Sequence, residues 1–373
     1  MKDYNEELFY QIALSLIPKV GPVLAKRLIS YTGSPKGLFE ERKSKLLKIP
    51  NIGENLVNNI KSKSIFEKAE REMAFIENYQ IDVYFYLDDR YPKRLKNCED
   101  APVLFYSKGE VNFESIRVLS VVGTRRATDR GIEACQKLIA ELSRNSKDLI
   151  VVSGLAYGID ICAHKAALAN GLQTISVLGH GLDIIYPSVH RSVAGKIVNQ
   201  GALVTEFSSY TKFIKSNFVC RNRIIAGLAD ATVVVESGER GGALITADLA
   251  NSYNRDVFAF PGRVEDSRSK GCNQLIKTNK AALIEGVDDL EYILGWELNR
   301  CRNKIVQQEI FKDLGTSEKN IVSLIREKGE LSINELSIRL GLPVSKVSPL
   351  LLDLEFEGLI KCLPGNRYKA AGY

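Results

Sequence analysis

The 373-residue chain has three histidines, one tryptophan, two methionines, and seven cysteines that are never spaced Cys-x-x-Cys. Cys98, Cys135, Cys162, Cys220, Cys272, Cys301 and Cys362 are scattered and odd in number. Zinc frameworks and disulfide scaffolds depend on regular pairing, so this usage points to a reduced, cytoplasmic protein without a metal site. His-Glu-x-x-His is absent, which removes the zincin class. Gly-x-Ser-x-Gly is absent as well, so there is no serine nucleophile elbow. No run approaches the ~18 apolar residues that a membrane-spanning helix requires, and no membrane insertion is expected. The N-terminal stretch lacks a charged segment followed by a cleavable apolar one, so no signal peptide is expected.

What remains is an ordinary globular composition, 45% hydrophobic and 26% charged, with a net charge of +6. That mild positive balance is compatible with nucleic acid but decides little alone. The length predicts two or three domains. Residues 1–80 read as a helical domain. Within it, residues 17–28 and 49–60 each read Ile-Pro-x-hydrophobic-Gly before an amphipathic helix. They look like helix-hairpin-helix (SAM-like) units, whose helix N-termini can hold a DNA phosphate. The plainer alternative is two packed helical hairpins with glycine at the turns.

Residues 81–296 form the central domain, opening with a connector that carries a short strand at 83–87. Strands are expected near 118–122, 149–152, 174–178, 202–205, 232–235, 256–260 and 281–284. Helices are expected at 131–144, 158–170, 188–200, 218–228, 241–253, 271–279 and 287–294. Such alternation, with continuous apolar strands, predicts the α/β class: an extended, mainly parallel Rossmann-like sheet covered on both faces. A charged linker follows at 297–317, and then a small winged-helix domain at 318–373. Gly341 sits at its turn, residues 344–357 form the recognition-type helix, and 359–369 the wing around Pro364-Gly365. Lys346 is the only basic residue of that helix, which favours a protein-contact role over reading DNA.

Three strand-end loops look like anion cradles. The first reads Gly123-Thr124-Arg125-Arg126. A dinucleotide site wants Gly-x-Gly-x-x-Gly there, so the loop reads as a phosphate grip without an NAD cofactor. The second, residues 153–160, holds Ser153 and Gly154 and leads to a helix carrying His164 and Lys165. The third, residues 236–247, brings Gly241 and Gly242 to a helix start. A fourth segment places Arg221, Asn222 and Arg223 near a helix start, with Lys212 and Lys215 just before. Cations there are disfavoured by the helix dipole, so a bound anion is expected; the alternative is ion pairing with Glu206, Asp230 or Glu236. His164 is better read as a packing or capping residue than as a base. Glu206 and Glu236 end two strands and could form a carboxylate pair. Phe207, Tyr210, Phe213 and Phe218 are candidates to stack bases or to join the core.

Taken together, "VVGTRRATDRG", "VVSGLAYGIDICAHKAAL", "GHGLDIIYPSVHR", "FVCRNRIIAGLADATVVVESGERGGALITADLA" and "VFAFPGR…GCNQLIKTNKAALIEG" closely resemble the DprA/Smf family of bacterial DNA-processing proteins. The resemblance is strong over residues 81–290, and the flanking domains match the family's three-part layout. It implies a homodimeric, non-enzymatic single-stranded DNA-binding protein of natural transformation. Such a protein protects incoming strands, helps load the RecA recombinase and shares DNA with single-strand-binding protein. By motif position, Gly123, Thr124 and Arg125 match the family's Gly-Ser-Arg loop. Ser153, Gly154, Lys165, Arg221, Asn222 and Arg223 match its other DNA-pocket motifs. Departures are Thr124 for serine, Cys220 in place of a cation, Ala243 in place of a serine, and His180 where a small residue is usual. The rival class is a nucleotide enzyme of the Lonely-Guy phosphoribohydrolase type. Its Pro-Gly-Gly-x-Gly-Thr signature is not matched by Ser237-Gly238-Glu239-Arg240-Gly241-Gly242.

Overall fold

The computed structural model describes residues 6–296, 315–356, 359–363 and 366–370. The chain separates into two compact units, Met1–Leu298 and Asn299–Tyr373.

The first unit opens with α1 (Glu6–Ser15), α2 (Pro22–Thr32), α3 (Pro35–Glu40), α4 (Lys43–Leu46), α5 (Glu54–Ile60) and α6 (Lys63–Tyr79). Pro22 begins α2 at the position where a missing N–H costs nothing, and Gly33 ends it at φ 80°. The two Ile-Pro-x-hydrophobic-Gly repeats fold alike: Lys19 and Asn51, the third residue of each, are left-handed at φ 67° and 65°. Ile12, Leu28, Leu38, Ile60 and Ile65 gather into one apolar core with Phe85 and Tyr106 of the neighbouring sheet.

The sheet begins with β1 (Asp82–Phe85), followed by the short α7 (Lys93–Lys96) and β2 (Leu104–Lys108). β2 was not expected; its buried run stands between Pro102 and Gly109, which were signals enough to place it. Then come β3 (Arg117–Val122), α8 (Asp129–Asn145), β4 (Leu149–Ser153), α9 (Ile159–Ala169) and β5 (Gln173–Val177). α10 (Arg191–Asn199), β6 (Gly201–Thr205), α11 (Lys215–Leu228), β7 (Ala231–Val234) and α12 (Gly242–Ser252) follow. The set closes with β8 (Asp256–Ala259), α13 (Lys270–Lys277), β9 (Ala282–Leu283) and α14 (Val287–Leu294). A 3-10 turn at Ser188–His190 stands where the sequence reading placed the first turn of α10.

Strand order is β1-β2-β6-β5-β4-β3-β7-β8-β9, parallel except where β2 pairs with β1 and β6. This is the expected α/β architecture. β3 has β4 on one side and β7 on the other, so the chain reverses direction across the sheet between β3 and β7. In such sheets ligands sit outside the carboxyl ends of the strands at that reversal. Helices cover both faces, with Val122, Val152 and Ile224 in one core and Val121, Leu138 and Val233 in the other.

The second unit is a winged helix: α15 (Thr316–Lys328), β10 (Glu330–Ser332), α16 (Ile333–Leu340), α17 (Val344–Phe356), β11 (Ile360–Leu363) and β12 (Arg367–Ala370). Ser332 and Glu335 form a capping box on α16, and Gly341 ends that helix at φ 63°. Its sheet order is β10-β12-β11. Most of the expected linker (residues 297–314), the wing turn Pro364-Gly365, Glu357 and Cys301 lie outside the described residues.

Candidate nucleic-acid interface

The first strand-end loop is held from within. The Thr124 N–H donates to the Glu236 carbonyl at 2.8 Å, the Ile159 N–H to the Thr124 carbonyl at 3.2 Å, and the Arg126 N–H to Thr124 Oγ1 at 3.2 Å. A Cβ on Gly123 would lie 2.5 Å from Ile159 and 3.0 Å from the Glu236 carbonyl, so glycine there admits α9 and the β7 loop. The Glu236 carboxylate accepts from the Thr128 N–H at 2.9 Å and from the Thr128 hydroxyl, which itself accepts from the Gly131 N–H at 3.1 Å. Thr128 is the N-cap of α8. An anion is favoured at a helix start, and here the protein supplies its own. The expected cradle of free backbone amides is therefore corrected: Thr124 and Thr128 spend theirs on Glu236. What the loop offers to solvent is the exposed Arg125 and Arg126 side chains.

The second loop is also turned inward. Ser153 is fully buried and its hydroxyl donates to the Val121 carbonyl at 2.7 Å, tying β4 to β3. Arg221 is 3% exposed; its guanidinium donates to the carbonyls of Gly154, at 2.8 Å, and Val177. Burial pushes Arg221 down to about 10, with Asp160 opposing that shift. Burial raises the Asp160 carboxyl and Arg221 counters it, so the two charges support each other below the crevice. Arg223 pairs with Glu206, the side chains being 11% and 16% exposed. Burial raises Glu206 and the Arg223 charge offsets it. Ser153 and Arg221 are thus buried in the scaffold, and Arg223 is committed to Glu206. Consecutive residues on a helix point about 100° apart, so Arg221, Asn222 and Arg223 cannot all face one ligand. Asn222 turns toward α12, its amide donating to the Gly242 carbonyl at 3.4 Å.

His164 is fully buried between the Leu155 N–H, 3.3 Å from Nε2, and Thr174 Oγ1, 2.8 Å from Nδ1. Burial depresses it to about 3, so the ring is neutral and Nδ1 donates. Glu206 and Glu236 are each committed to separate partners, Arg223 and Thr128. In the third loop, a Cβ on Gly241 would lie 2.5 Å from Ser237 Oγ, whereas Gly242 has open space and starts α12 without a side-chain cap.

The exposed groups around the strand ends include cations and aromatics beside the carboxylates of Asp183 and Glu239. Arg125, Lys165, Lys212 and Lys215 are exposed. Arg125 lies close enough to act electrostatically on both Asp160 and Arg221. Tyr157, Tyr186 and Phe213 are 46%, 46% and 45% exposed. Phe213 meets Tyr186 edge-on at 4.7 Å between ring centroids and Phe218 at 5.2 Å. His180 sits beneath them, 6.4 Å from both phenylalanine rings. It is buried, Nε2 accepts from the Tyr186 N–H at 3.2 Å, and Nδ1 faces the Gly181 carbonyl at 2.9 Å. The unusual histidine therefore braces the segment that presents Tyr186. Tyr157 and Tyr186 were not singled out from the sequence; their place in strand-end loops, beside Gly158 and Pro187, was the available signal.

No helix among the described residues is long and apolar enough to cross a membrane. Residues 82–294 match the family model of DNA recombination-mediator protein A, and residues 313–366 match that of the DprA winged helix domain. The protein Smf of Synechocystis is 30% identical over 98% of this chain and 99% of its own. The X-ray structure of DNA processing protein A from Streptococcus pneumoniae superposes with a TM-score of 0.61 at 31% identity, covering 78% of this chain and 98% of that one. A solved structure of DNA processing protein A from Helicobacter pylori, described for its single-stranded DNA binding mode, gives 0.53 at 27% identity, covering 59% of this chain and 98% of that one. With its central sheet and its winged helix both matched, and a relative aligned over 98% of it, the chain belongs to the DprA/Smf family of DNA recombination mediators.

Proposed function

We propose that the strand-end face binds single-stranded DNA without sequence preference and does no chemistry on it. The observation that carries this reading is the loop between β6 and α11, where Lys212 and Lys215 flank Phe213 within the Tyr186–Phe213–Phe218 cluster. Cations that meet phosphates beside faces on which unpaired bases stack are the general means of holding a single strand. The exposed Arg125 and Lys165 add positive charge; Gly242, at the open start of α12, lies beside Asn222. The buried Arg221 preorganises the loops from below. Against a phosphoribohydrolase-type reaction stand the commitments of Glu236 to α8 and of His164 to Leu155 and Thr174.

Within that reading the protein is a cytoplasmic homodimer that protects incoming strands in natural transformation and helps load the RecA recombinase, with single-strand-binding protein as a further partner. The family membership supports these roles. Fluorescence anisotropy with a labelled oligothymidine and a matched duplex, across a salt series, tests the central step. Preference for the single strand with a steep salt dependence is the expected result. Equal affinity for both, or release of free base from a nucleoside monophosphate, contradicts it.

A further inference from the structure

The loop that carries Lys212 and Phe213 is held by the helical domain. Glu72 of α6 is 4% exposed, and both its carboxylate oxygens accept from the Ser209 N–H, at 3.0 and 2.9 Å. The Ser209 hydroxyl donates to the same carboxylate. The next amide, Tyr210 N–H, donates to Asp183 Oδ2 at 3.2 Å. Tyr210 adopts φ +62°, a left-handed conformation that a residue with a side chain rarely takes unless its surroundings impose it. Two carboxylates from separate elements thus grip two successive amides of one strained turn. Phe75, one helical position from the same face of α6, adds an edge contact to the Tyr210 ring at 6.4 Å. On the other side a Cβ on Gly181 would lie 2.5 Å from the Ser208 carbonyl and 2.9 Å from Ser209 Cα, so the turn is also packed against the loop after β5. Beyond the turn, Asn217 of α11 donates to the Lys212 carbonyl at 3.3 Å.

We infer that Glu72 is a positioning residue for single-strand binding: the helical domain contributes through this buried carboxylate, which fixes the turn that aims Lys212 and Phe213, without itself touching the strand. The inference rests on the proposed binding face. Without Glu72 the Ser209 amide and hydroxyl lose their acceptor, the turn relaxes from its left-handed residue, and the cation and ring leave their places. A carboxylate buried merely for stability would leave affinity and salt dependence of the folded protein unchanged.

A double-mutant cycle on the full chain separates the two, with binding of a labelled oligothymidine read by anisotropy and folding checked by thermal melting. Glu72→Ala weakens binding about three- to tenfold, and in the Lys212→Ala background it adds clearly less, the remainder coming through Phe213. Its salt slope falls by about 0.7, the share of one single-strand phosphate. Glu72→Gln, which keeps an acceptor for the amide, recovers most of the affinity. Should Glu72→Ala fail to fold, Ser209→Ala carries the same cycle with a smaller effect. Native affinity for Glu72→Ala, or effects that multiply independently with Lys212→Ala, overturns the inference while leaving the binding face intact. Native binding by Arg125→Ala and Lys212→Ala removes the face itself.

Discussion

The Arg221 guanidinium donates to the Gly154 carbonyl at 2.8 Å, and a Cβ on Gly154 would lie 2.1 Å from that same nitrogen. Glycine is required there by the arginine. Gly154→Ala must push the buried guanidinium aside, and Arg221→Ala leaves Asp160 without its compensating charge. The variant also strips the Gly154 and Val177 carbonyls of their buried donor, and hydrogen bonds from a charged group are worth about 1.5–3 kcal/mol, so Arg221→Ala should lower the urea midpoint. Loss of strand affinity with unchanged stability would assign Arg221 to the ligand instead.

Glu236 fills the anion seat at the start of α8. Glu236→Ala should cost about 1.5–3 kcal/mol, the value of hydrogen bonds to a charged group. It also vacates the seat, so inorganic phosphate should raise the melting temperature of the variant more than chloride at equal ionic strength does. The native protein, its seat occupied, should show a smaller difference, that from the general stabilisation by phosphate and its contact with the exposed cations.

Acid should weaken the fold through its buried histidines. Burial holds His164 at about 3 against an ordinary value of 6.5, so below 6.5 the unfolded chain binds a proton that the folded chain refuses. The stability tied to the neutral ring is complete above that pH and declines as pH falls toward 3, by about 1.4 kcal/mol per unit. Burial shifts His180 in the same direction. Urea denaturation between about pH 5 and 7 should show this slope, and His164→Asn should flatten it by roughly one proton. An unchanged slope would mean that His164 titrates normally.

The alternation of strands and helices was legible because each parallel strand is a continuous apolar run bounded by turn residues, as in residues 149–153 and 231–234. The carboxyl-end loops followed from that topology. What local sequence could not reveal was where each polar group points. The Thr124 amide is spent on Glu236, a partner far along the chain, and Ser153 turns to Val121 within the sheet. Arg223 pairs with Glu206, which was one of the alternatives open from the sequence, while Arg221 is drawn inward by two carbonyls that only folding brings together. The aromatic cluster was half visible: Phe213 and Phe218 stood out beside lysines, but Tyr186 joins them from the loop after β5.

The central claim is that exposed strand-end cations hold phosphates, and Arg125 is the one whose charge reaches the buried Arg221 and Asp160. The most direct test is oligothymidine affinity of Arg125→Ala against the native protein over a salt series. The predicted result is a loss of similar size for any single-stranded sequence, a salt slope lower by about 0.7, and an unchanged melting temperature. Native affinity and an unchanged slope would contradict the account.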